Sequence, residues 1–131
     1  MLGAWQWVLH LFLMVFHGGW TLFNALGWMA PRWRRYHLVC ILLTAFAWLG
    51  LGLWYGIGYC PLTDWHWQLL RNMGVRDLPP GFIEYFLEVV FGRRLRPALV
   101  HEVTAWWFGL ALLASIGLNI RDSFRKYRPA R

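Results

Sequence analysis

A chain of 131 residues fits one domain, yet 59% of it is hydrophobic and only 15% is charged, well under the roughly 25% charged content of soluble domains. The net charge is +7, but none of the 13 Lys and Arg residues precedes Arg32. These features exclude a water-soluble fold, and the segregation of the basic residues into a turn and a tail flanking apolar spans points to a membrane surface instead of a nucleic-acid partner.

Crossing a hydrocarbon core about 30 Å thick takes about 20 apolar residues, and three stretches meet that length. The first, residues 4–30, contains no charged side chain. It has no basic start and is too long for a secretory signal, so it is expected to be retained as a helix. Pro31 is expected to stop it, and Arg32, Arg34 and Arg35 make the following turn basic. The second span, residues 37–59, is again uncharged. It holds Gly50, Gly52, Gly56 and Gly58, and the four-residue spacing of Gly52 and Gly56 suggests a close helix–helix contact, internal or with a partner.

Residues 60–96 form a connecting loop with structure of its own. Trp65, His66, Leu69, Leu70 and Met73 are expected on one face of a helix over 61–73, with Asp64, Gln68, Arg71 and Asn72 on the other. Gly74 should end it, Pro79-Pro80 marks a turn, and residues 82–91 predict a second short helix. Neither is long enough to span a bilayer, so both should lie at the surface as a lid over the bundle or dip into it. The third span, residues 97–120, carries His101 and Glu102, and residues 121–131 form a basic tail. The fold class is therefore all-α and integral to the membrane: three transmembrane helices with two short interfacial helices between the second and third.

Basic residues favour the cytoplasmic face. The basic turn and tail place the N-terminus and residues 60–96 outside and the C-terminus in the cytoplasm, and anionic lipid adds about 1 kcal/mol per basic side chain there. Trp5, Trp7, Trp54, Trp65 and Trp67 match an outer aromatic belt, with Trp28 and Trp33 inside. Trp48, Trp106 and Trp107 sit deeper, against lipid, another helix or another subunit. Cys40 and Cys60 are about 30 Å apart if a helix separates them, too far for a disulfide.

The run Gly58-Tyr59-Cys60-Pro61-Leu62-Thr63, with Leu69, Arg71 and Gly74 and then Gly81-Phe82-Ile83-Glu84, resembles a family of small bacterial membrane proteins catalogued as a domain of unknown function. Its members carry a Cys-Pro-Leu-Thr motif and a later Phe-Ile-Glu motif between hydrophobic helices. Many relatives carry glutamate where His66 stands. The resemblance covers about residues 10–120. It implies a bacterial inner-membrane location and the three-helix plan, and it implies no activity.

Phosphate-cradling loops, dinucleotide fingerprints and Ser or Cys nucleophile motifs are absent from the sequence. The histidines are the chemical lead. His10 and His17 share a face of the first helix; His10, His66 and His101 can converge near the outer surface, with Glu102, Glu84 and Asp64 as partners. Three readings are open: a structural polar cluster; axial ligation of a b-type haem by His10 and His101; and a transition-metal site of His10, His66, His101 and Glu102. The function expected is that of a non-catalytic accessory or assembly subunit of a larger membrane complex, respiratory or photosynthetic. Its candidate contacts are Gly52, Gly56, Trp106 and Trp107, and pigment, quinone or lipid are candidates at the Trp-rich faces. The alternative is a haem- or metal-binding redox protein.

Overall fold

The computed structural model describes residues 3–127, and among these every regular element is helical. Three helices are long and apolar enough to cross a membrane: Ala4–Met29, Pro31–Tyr55 and Pro97–Lys126. The chain is that of a multi-pass membrane protein.

The first span is helix α1 (Ala4–Leu26) extended by a tight turn, Gly27–Met29. A side chain at Gly27 would collide with His37, whose Cδ2 lies 2.9 Å from where a Cβ would stand, so glycine permits the close approach of the first two spans. Pro31 opens the next turn, Pro31–Trp33, where its missing N–H costs nothing. The second span comprises α2 (Arg34–Ala45), a π turn (Phe46–Leu51) and α3 (Gly52–Tyr55). It starts earlier and stops sooner than hydropathy predicts, because Gly56 and Gly58 take left-handed φ values of 103° and 90°. The third span, α6 (Pro97–Lys126), runs past the expected end at residue 120. Arg125 and Lys126 in its last turn suit the negative end of the helix dipole.

Gly52 and Gly56 do not form a helix-packing face. Gly56 lies beyond the helix end, and a Cβ at Gly52 would meet Ile57 Cα of the same chain at 3.1 Å. Their spacing serves a tight chain reversal, in which the Gly58 N–H donates to the Trp48 carbonyl at 3.0 Å.

Helices α4 (Pro61–Asn72) and α5 (Phe82–Phe91) form the lid. The main apolar cluster lies beneath it: Trp67, Leu70 and Phe82 are buried, with Met14, Tyr85 and Phe86 packed against them. Phe86 packs over Gly18, where an added Cβ would stand 3.2 Å from its ring. Gly18 is about 21 Å along α1 from Ala4, so the lid dips deep against the first span. Trp67 is a core residue with its indole N–H on the Pro79 carbonyl at 3.0 Å, not a belt residue. Trp65 is the exposed one. The arc His66, Trp67, Leu69, Leu70 faces inward, turning the apolar face slightly from that expected.

Candidate functional site

Polar side chains inside the bundle form two layers, one under the lid and one near the opposite end. Under the lid, α1 presents His10 and His17 one above the other, seven residues apart. His10 Nδ1 lies 2.9 Å from His66 Nε2 on the buried face of α4. The two imidazoles share one hydrogen bond, so one donates and the other accepts. His66 is wholly buried. That burial, followed by the proximity of His10, pushes its pKa down from 6.5 to about 4. His17 stacks on Phe82 with ring centres 3.8 Å apart, and its Nε2 is 3.7 Å from Cys60 Sγ. The Nδ1 atoms of His17 and His66 are buried without a hydrogen-bond partner.

Glu84, on α5, is 2% exposed. Its Oε1 lies 2.7 Å from His101 Nε2 at the start of α6, an ion-pair distance with no N–H aligned on it for a hydrogen bond. The histidines expected to converge therefore divide into two pairs, His10 with His66 and His101 with Glu84. Glu102 is exposed and joins neither pair. Asp64 instead accepts from the Tyr59 hydroxyl at 3.2 Å and from the Gln68 amide at 3.3 Å. Burial, then the bond to and charge of Asp64, raise the Tyr59 pKa. A haem held by His10 and His101 would have to displace both partners. Among the described residues no group of three or more His, Cys, Asp or Glu side chains is arranged to hold a metal ion.

The second layer was not anticipated from the sequence. His37, with no exposed surface, spans two helices: Nδ1 lies 2.9 Å from Ser115 Oγ and Nε2 lies 2.9 Å from the Asn24 carbonyl. Thr44 Oγ1 accepts from the Trp20 indole at 3.0 Å and from the Asn24 amide at 2.8 Å. Asn119 donates to the Arg34 carbonyl, and Arg34 pairs with Asp122 at 2.8 Å. A signal was present in the sequence. Trp20 and Asn24, His37 and Thr44, and Ser115 and Asn119 recur at spacings of four or seven, so each pair shares one face of its span. Trp107, expected as a contact residue, ties α6 to α1 through its indole N–H on the Ala25 carbonyl at 3.1 Å. Trp106 is 77% exposed.

Chemically, the second layer is a bolt: its imidazole is engaged at both nitrogens and joins all three spans. The layer under the lid is less complete. It contains an imidazole pair that can hold one shared proton, a thiol beside an imidazole, and a buried carboxylate at ion-pair distance from His101.

A family model described as Protein of Unknown function (DUF2784) matches residues 6–120, and the chain belongs to that family. No curated protein and no solved structure matches the chain.

Proposed function

We propose that this member of the family is a non-catalytic accessory or assembly subunit of a larger membrane complex. One observation carries the reading: the spans cover one another poorly. In the most apolar window of each span, only 22%, 11% and 11% of residues are buried inside the protein. Helices held by polar bolts but left open along their sides have surface to offer neighbouring membrane helices. Large side chains crowd that surface, among them Phe12, Leu53, Trp54, Trp106 and Leu113, each more than half exposed. Aromatic side chains of this kind anchor interfaces between proteins and contact flat ligands such as pigments or quinones, which fits a respiratory or photosynthetic host. The family resemblance implies a bacterial inner-membrane location, and the Arg32–Arg35 turn and the basic tail support an orientation with the N-terminus outside and the C-terminus cytoplasmic.

A second reading, a haem- or metal-binding redox protein, draws on the two unbonded Nδ1 atoms of His17 and His66. One preparation tests both. The protein is purified from native membrane in mild detergent, co-migrating proteins are identified by mass spectrometry, and a visible spectrum and elemental analysis are recorded. Stoichiometric co-migrating membrane subunits support the accessory reading. A lone, well-folded monomer overturns it, and a Soret band or a bound transition metal moves the assignment to the redox reading.

A further inference from the structure

At the end of the bundle opposite the lid, a cleft of about 470 Å³ opens between the Pro31–Tyr36 turn and the last turns of α6. Its size falls within the roughly 300–1,000 Å³ of small-molecule sites. Among the described residues, Arg32, Arg34, Arg35 and Lys126 line it, with Asp122 as the lone acid. The acid is committed: Asp122 pairs with Arg34 at 2.8 Å and Arg121 at 3.0 Å. Arg34 is held as well, its Nε–H donating to the Trp28 carbonyl at 3.1 Å. Among the described residues three cationic side chains, Arg32, Arg35 and Lys126, remain to line the cleft, and Arg32 is steadied over the Trp33 ring at 5.7 Å.

Depth along α6 locates this cleft in the membrane. Asn119 and Ser123 lie about 33–39 Å from Pro97 along the helix axis, just beyond a hydrocarbon core of about 30 Å. That depth corresponds to the headgroup level of a bilayer. The rim of the cleft carries both guanidinium groups, suited to bidentate phosphate recognition, and an ammonium that acts as a point charge.

We propose that this cleft binds the phosphate headgroup of an anionic phospholipid, with Arg32, Arg35 and Lys126 as the recognising side chains and the Arg34–Asp122 pair as the rigid back wall. The site does not depend on the accessory-subunit reading, since it is complete within one chain.

The test is native mass spectrometry of the full chain in mild detergent, titrated with phosphatidylglycerol and with phosphatidylcholine of matched acyl chains. The wild type is expected to retain phosphatidylglycerol at least tenfold better. Arg32→Gln/Arg35→Gln/Lys126→Gln should abolish that preference, and the milder Arg35→Gln should reduce it several-fold with an unchanged thermal midpoint. A charge-matched control at the lid end, Arg71→Gln/Arg76→Gln/Arg93→Gln, should leave it intact. Equal loss in the control reduces the effect to net charge and overturns the proposal, as does equal retention of both lipids. Inorganic phosphate added to 10 mM (about a thousandfold over protein) should not displace the lipid. Full displacement would identify a soluble phosphate ligand and overturn the lipid assignment.

Discussion

His10 Nδ1 and His66 Nε2 meet at 2.9 Å across 56 residues of sequence, and this contact joins the N-terminal part of the first span to the buried face of the lid. It couples lid docking to protonation. The pKa of His66 falls from 6.5 to about 4 in the folded chain, through burial first and His10 second. Between those values the unfolded chain binds more protons, so stability is full above about pH 6.5 and is lost as pH falls towards 4. The loss is of order 3 kcal/mol, read as a falling thermal midpoint in detergent between pH 7 and pH 4.5. His66→Gln should shrink that dependence without abolishing it, since His10 and His17 remain beside the lid. An equally steep profile in the variant would assign it to other groups.

The polar layer opposite the lid yields a sharper energetic prediction. Ser115→Ala removes the partner of His37 Nδ1 and leaves a wholly buried ring nitrogen without a bond. The expected cost is about 1–3 kcal/mol. The double variant His37→Leu/Ser115→Ala should cost less than the sum of the single changes, because the orphaned nitrogen has gone with the ring. Unfolding titrations of the three variants measure the coupling, and strict additivity would show that the bond adds nothing.

Glycine substitutions separate the reversal at the second span from helix packing. Ala at Gly56 must adopt a φ of 103°, costing about 1–2 kcal/mol, and Ala at Gly52 meets Ile57 Cα at 3.1 Å. Both should lower the thermal midpoint of the isolated chain. Gly19→Ala, on the open side of α1, should be neutral or slightly stabilising. A Gly52→Ala chain as stable as wild type would return that residue to a partner-facing role.

Elements governed by local rules were legible in the sequence, and contacts governed by distant ones were not. The run Phe82–Phe91 forms the helix that its composition predicts, bounded by Gly81 and Gly92, and Pro61 opens α4. The three spans follow from hydropathy over windows as long as the membrane is thick. The pairing of imidazoles was beyond such reasoning. Whether His66 meets His10 or His101 depends on how far the lid dips, and that depth is decided by Phe86 seating at Gly18. Trp67 shows the same limit: a rotation of α4 about its axis exchanges it with Trp65, and the capture of its indole by the Pro79 carbonyl decides the matter. The Gly52/Gly56 spacing misled because a four-residue repeat means close packing only while the helix continues, and this one ends at Tyr55.

Orientation is the last expectation, and the two free cysteines report on it. Cys60 lies in the connection before α4, while Cys40 sits in α2 about 9 Å beyond Arg34. If the basic turn and tail are cytoplasmic, a membrane-impermeant maleimide added to intact spheroplasts should label Cys60 and spare Cys40. Cys60→Ser should abolish the signal, and Cys40→Ser should leave it. Cys60 is half-buried beside His17, so slow labelling there could reflect shielding instead of sidedness. Asn72→Cys in a background lacking both native cysteines removes that ambiguity, because position 72 is exposed at the end of α4. Rapid labelling of this variant in intact spheroplasts fixes the lid outside. Labelling only after the membrane is permeabilised would invert the topology and place the basic cleft on the outer face.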